Sequence, residues 1–320
     1  MSLWSRLAAA LLGLAVGGAF LAYAFRGTPP ALVWGVLEAG HWGWPSAIVL
    51  TGTALFVYSK AARWRLLLGT APALPIAPLV RSVLAGLALN ACVPHTGEFV
   101  RAFSLQRAYG RAASAVLSSI IAERLFDLFG VLILGSVALA FVRVSAELGA
   151  AFRLLAVVAA ILAALVLVAL AAPRLVRRIA TICAAPLPVR LSAWVLRQVD
   201  EALLGFAPVR SPAISVRVFA WSLGQWLAVA LAVYGCAAVV GFEPGAAAAM
   251  LVVVGIVVAF LLPNAPGYAG SVQVAFLVTL QPLAIPNELA LGASIVYQLL
   301  MVLPLVVVGL AFLRPSLARR

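Results

Sequence analysis

Glu123, Arg124 and Asp127 stand together inside the otherwise uncharged stretch from Ala112 to Val142. Each charge at a bilayer centre costs roughly 2.5–3.5 kcal/mol even on the lenient insertion scale. In a helix rising about 1.5 Å per residue, Glu123 falls on the order of 16 Å from the start of this stretch, near a membrane midplane. Glu123 and Asp127 share a face at i,i+4, while Arg124 and Asp127 are i,i+3 neighbours positioned to pair. Lipid exposure of all three would cost roughly 8–10 kcal/mol, comparable with a domain's whole stability, so the cluster must face protein or water. Two chemistries suit it: a structural ion-pair network, or capture of a lipid phosphate by the planar guanidinium of Arg124, with Asp127 as a positioning group.

Two further polar segments interrupt apolar runs. In the first, Asn90, Pro94, Gly97, Glu98 and Arg101 follow one another over twelve residues. Pro94 and Gly97 break the helix, and the free amides of the next half-helix present partial positive charge to an anion. Glu98 there either caps that half-helix or meets a substrate, and Arg101 either pairs with Glu98 or snorkels to the cytoplasmic surface. His95 either titrates or fills a hydrogen-bonding position. In the second segment, Asn264, Pro266, Gly267, Tyr268, Gly270 and Gln273 supply only neutral polarity, and Tyr268 either lines the break or anchors its tip. Cys92, Cys183 and Cys236, with His41 and His95, lie too far apart for a zinc spacing or a disulfide framework. No metal, cofactor or catalytic residue is assigned.

The elements that carry these residues follow from composition. The 320 residues are 65% hydrophobic and 10% charged, against the roughly 45–50% apolar content of soluble domains. A soluble enzyme is excluded, and the expected fold is an all-α, polytopic integral membrane protein. Spanning helices are expected at Leu7–Phe25, Pro45–Ser59, Ala112–Val142, Leu154–Ala172, Val218–Val240 and Glu288–Leu313, about six in all. Lys60, Arg63 and Arg65 then flank the second helix on the cytoplasmic side. Leu79–Tyr109 and Ala246–Ala284 each contain a break and have ends of one charge character, so they read as re-entrant hairpins entering from opposite faces. The alternative is two kinked crossings, giving eight. Residues 173–217 form a basic cytoplasmic loop holding an interfacial amphipathic helix, with Leu187, Leu191, Trp194, Val195, Ala202 and Phe206 along one stripe. Of the 22 basic residues, only Arg26, Arg143 and Arg153 fall outside and Arg124 within the membrane. The basic excess therefore reads as an orientation signal with both termini cytoplasmic, and not as a nucleic-acid footprint. One hairpin in each half, about residues 1–150 and 151–320 of a single transmembrane domain, is the pattern of an inverted repeat with a binding site near the midplane.

The motifs resemble a flippase-like family that shares its membrane region with bacterial lysylphosphatidylglycerol synthases. The likeness covers most of the chain and rests on N-x3-P-x2-G-E-x2-R from Asn90 to Arg101, E-R-x2-D from Glu123 to Asp127, and P-x-x-P-G-x-x-G from Pro263 to Gly270. Where that family's second hairpin often continues to an acidic residue, this chain has Gln273, so a second protonatable site is not carried over. The resemblance implies a lipid translocase of the bacterial inner membrane, with membrane lipids as partners and a separately encoded lipid-modifying enzyme as a possible neighbour. Two other readings stand beside it: an intramembrane enzyme acting on polyprenyl-phosphate-linked lipid, and a scaffold for lipid or glycan synthesis.

Overall fold

The computed structural model describes residues 3–69, 74–93, 96–142, 144, 146–261 and 264–318. Pro94, His95, Arg143 and Pro263, singled out above, lie outside these. Among the described residues the fold is all-α, with no strand. In chain order the helices are α1 (Leu3–Ala24), α2 (Pro30–Glu38), α3 (Trp44–Leu67), α4 (Ile76–Cys92), α5 (Gly97–Tyr109), α6 (Ala113–Phe141) and α7 (Ala146–Ala171). They continue with α8 (Pro173–Ala184), α9 (Val189–Gly205), α10 (Pro212–Val239), α11 (Gly245–Phe260), α12 (Ser271–Leu280), α13 (Asn287–Tyr297) and α14 (Leu303–Ala318). Proline sets several starts: Pro30, Pro45, Pro173 and Pro212 occupy first turns, where a missing N–H costs nothing. Four described helical stretches are long and apolar enough to cross a membrane: Ala113–Phe141, Leu148–Ala171, Pro212–Val239 and Asn287–Leu313.

Both broken segments fold as helix, break and helix. The 17 residues of α4 and 13 of α5 reach roughly 26 and 20 Å, short of a hydrocarbon core of about 30 Å. They lie against each other and approach closely between glycines: a Cβ on Gly97 would collide with the carbonyl oxygen of Gly86. In the second hairpin α11 and α12, of 16 and 10 residues, meet where Gly255 faces Ala275 and Thr279. Its tip is a 3-10 turn, Pro266–Tyr268, and Gly267 and Gly270 hold φ of +69° and +84°, a region glycine enters without steric cost.

At the centre α3 and α10 run antiparallel. Gly52 sits against Ala228 and Ala232, and Gly235 against Pro45 and Val49. Around that pair α4 lies on α14 while α11 lies on α6, and α5 contacts α6 as α12 contacts α13. Exchanging α3–α6 with α10–α14 thus converts one set of contacts into the other. The remaining helices are peripheral. Apolar side chains of α7 such as Leu154, Ile161 and Leu165 are exposed, as suits a lipid-facing helix, and α9 is tied to α6 by a hydrogen bond from Ser114 to Glu201 (2.7 Å).

Three local expectations are corrected. α3 does not end near Ser59: it runs on to Leu67, because Lys60 and Arg63 find buried carboxylates and have no need of water. Residues 173–217 are not a loop with one helix but the helical pair α8 and α9, followed by α10, whose Ser211 cap and Pro212 place Arg217 inside the helix. The last span runs as expected, over Asn287–Leu313, with a π-turn at Gln298–Val302 inside it. The short α2, whose Val33 is buried with Ala24 and Leu291, adds a helix where only a connection was expected.

Candidate functional site

The charged residues assemble where α3, α5 and α6 converge, with α10 closing one side. Glu123 of α6 is fully buried and receives three cations. Lys60 bonds its Oε1, Arg63 Nη2 lies 3.0 Å from the same oxygen, and Arg101 reaches both oxygens, at 2.6 and 3.3 Å. Arg101 therefore neither pairs with Glu98 nor snorkels to the surface. Its guanidinium also stacks over Trp64, 4.0 Å from the ring centroid, and the Trp64 indole donates to Ser119 (3.1 Å). One turn along α6, Asp127 accepts from Arg63 (2.6 Å) and from the Gln225 amide (3.0 Å), while Arg63 donates in addition to Ser222 (2.7 Å). Buried charges persist only when paired and hydrogen-bonded, and here three helices and α10 share the task.

Arg124 points elsewhere. Its side chain is 46% exposed, whereas those of Lys60, Arg63 and Arg101 are at most 5% exposed. Its hydrogen-bonded ion-pair partner is Glu98, at the start of α5; Asp127, which its position in the helix suggests, is 3.9 Å away. Glu98 Oε1 also accepts from the Asn90 amide (3.3 Å), and Asn90 Oδ1 takes the Gly97 backbone N–H (2.7 Å). The residue that satisfies the first amide of α5 is thus Asn90, leaving Glu98 free to reach across to α6.

The second hairpin brings its tip to the same place. The turn Pro266–Tyr268 contacts α4 and α1, and Tyr268, its ring stacked on Phe260 (centroids 4.1 Å), is near enough to Arg124 and Glu98 to feel their charges. Gln273 Oε1 accepts the Gly270 N–H (2.8 Å), its amide donates to Gln298 (2.6 Å), and Gln298 in turn donates to the Gly267 carbonyl (3.0 Å). A chain of two amides therefore fastens the tip to the π-turn. Such turns concentrate at functional sites. Gly13 and Gly17 of α1 cover the tip closely, facing Asn264 and Ala265.

The structure thus brings Asn90, Gly97, Glu98, Arg101, Glu123, Arg124 and Asp127 into one connected set, with Tyr268 beside it. Gln273, Gly267 and Gly270 hold the second tip and carry no charge to the site; Asn264 is buried near α1 and hydrogen-bonds the Phe260 carbonyl (3.4 Å), and Pro266 only opens the turn. Sequence reasoning missed Lys60, Arg63, Ser222, Gln225 and Gln298. Ser222 and Gln225 stand in an apolar run whose helical register continues past them, which was the available signal, whereas Lys60 and Arg63 sit at the end of such a run and read as a loop flank. Among the described residues no group of acidic, histidine and cysteine side chains is arranged to hold a metal ion. Four cations, Lys60, Arg63, Arg101 and Arg124, face three carboxylates, Glu98, Glu123 and Asp127, leaving one positive charge in excess.

No curated protein and no solved structure matches this chain. A family model described as the lysylphosphatidylglycerol synthase transmembrane region matches residues 10–309. That match takes in both hairpins, the α3–α10 centre and every member of the charged cluster, and the chain therefore belongs to the lysylphosphatidylglycerol synthase transmembrane-region family.

Proposed function

We propose that the protein is a lipid translocase of the bacterial inner membrane, with both termini cytoplasmic, that moves a phosphate-bearing lipid between leaflets. The observation that carries this reading is the exposed guanidinium of Arg124 at the junction of the two hairpins, backed by a buried cluster with one positive charge in excess. An accessible arginine in such a field attracts a phosphate oxygen pair, while the lipid tails remain outside among apolar helix faces. The antiparallel α3 and α10 and the exchanged contacts around them support an inverted repeat. Rocking of one half against the other about that central pair would then open the junction to each face in turn. In this reading the protein is a carrier and not an enzyme, and the lipid it moves is made by a separate one. The test is leaflet transfer of labelled phosphatidylglycerol in proteoliposomes. Transfer by the wild type and its loss in Arg124→Gln are expected; equal transfer by both overturns the reading. Chemical turnover of the lipid by the purified protein in detergent would favour an intramembrane enzyme instead.

A further inference from the structure

We propose that Glu98 is a built-in stand-in for the lipid phosphate: it occupies the anion seat on Arg124 and must yield before a headgroup can bind. This rests on the translocase reading and adds to it a residue that sets affinity and selectivity. A carboxylate and a phosphodiester both offer anionic oxygens to a guanidinium, and Glu98 now places one, Oε1, on Arg124 Nη2, so the group bonded to Arg124 is of the same chemical kind as the ligand expected there. The other ion pairs are not exchangeable in this way. Glu123 is fully buried among Lys60, Arg63 and Arg101, and Asp127 is held by Arg63 and Gln225. Among the described pairs of the cluster, only Glu98–Arg124 joins the first turn of α5 to an accessible cation.

Glu98 also has somewhere to go. Once Arg124 is taken, the Asn90 amide still holds one of its oxygens, and its place in the first turn of α5 keeps its negative charge beside the positive end of the helix dipole. It is displaced without being neutralised. The cluster's single excess positive charge then sets the preference: one monoanionic phosphodiester brings the site to neutrality, whereas a diphosphate or phosphomonoester overshoots it.

The experiment measures binding of short-chain dihexanoyl-phosphatidylglycerol to the full-length protein in an uncharged detergent, by calorimetry, for the wild type, Glu98→Gln and Arg124→Gln. Removing a competing charge-assisted bond is expected to tighten binding about tenfold in Glu98→Gln, while Arg124→Gln loses it. Loss in Arg124→Gln with unchanged or weaker binding in Glu98→Gln overturns the stand-in role and leaves the translocase reading in place. Undiminished binding by Arg124→Gln overturns both. Thermal unfolding of the same samples reports folding. If Glu98→Gln does not fold, Glu98→Asp, which keeps the charge and shortens the reach, takes its place under the same criteria: tighter binding supports the role, and unchanged or weaker binding overturns it.

Discussion

Arg101 and Glu123 meet edge to edge, with Nη2 to Oε2 at 2.6 Å and Nη1 to Oε1 at 3.3 Å, although they belong to different helices. Neither has access to solvent that would compensate the loss of the other. Glu123→Gln would leave Lys60, Arg63 and Arg101 facing Asp127 alone. Breaking a buried pair by removing one partner costs about 3–5 kcal/mol, so this variant is expected to unfold at a markedly lower temperature in detergent. An unfolding temperature equal to the wild type's would show that water reaches the cluster.

Arg124 is the contrasting case. Because its side chain is half exposed, Arg124→Gln is expected to cost no more than about 1 kcal/mol of stability while abolishing lipid transfer. Arg124→Lys keeps the charge but loses the planar fork, and partial transfer is expected. The double change Arg124→Gln with Asp127→Asn is not expected to restore function, since Glu98 and not Asp127 is the hydrogen-bonded partner of Arg124. Restored transfer in that double variant would mean that Arg124 serves only to balance Asp127.

Gly97 and Gly270 are expected to be intolerant of side chains for different reasons. At Gly97 a Cβ would strike the Gly86 backbone, which cannot move aside as a side chain can, so even Gly97→Ala should lower the yield of folded protein. At Gly270 the added atom meets the Gly17 carbonyl, and φ is +84°, so strain and collision combine. Expression and monodispersity of the two alanine variants check this; wild-type behaviour of both would mean the hairpins separate easily.

Gln298→Leu removes the link between the π-turn and the second tip. It leaves the Gln273 amide and the Gly267 carbonyl without this partner, at a cost of roughly 1–3 kcal/mol if both stay dry. Transfer is expected to fall more than stability, because the tip and not the core loses its anchor. Unimpaired transfer in this variant would dismiss the amide chain as structural decoration.

Topology has its own test. Cysteines introduced near Arg107 and Arg197 are expected to react only from the cytoplasm, and those near Glu243 and Glu288 only from outside. Labelling near Arg107 from outside would make α4 and α5 part of a full crossing.

The breaks were legible in the sequence because proline and glycine interrupt apolar runs there, and Glu123 to Asp127 were legible because three charges cannot stand in lipid. Lys60 and Arg63 were not. A cation at the end of an apolar run reads as a loop flank, and only the partners on α6, more than sixty residues later, make burial affordable. Arg101 was placed in the right region, but neither pairing with Glu98 nor snorkelling describes it, since a one-turn spacing to Glu98 is visible in sequence and the approach of α5 to α6 is not. Gln298 escaped because a lone amide in a long helix carries no local sign of the π-turn around it.

The pairing of α3 with α6 also bears on how the chain enters the membrane during synthesis. Lys60 and Arg63 gain their carboxylates from residues 63 and 64 positions downstream, a stretch that takes roughly 3–13 s to make at about 5–20 residues per second. Released into lipid alone, the end of α3 would carry two unpaired cations at roughly 2.5–3.5 kcal/mol each if drawn to the bilayer centre. The end of α3 must therefore wait at the aqueous boundary or beside the insertion machinery until α6 emerges. The two helices settle together, making the first hairpin and its flanking helices one unit of biogenesis.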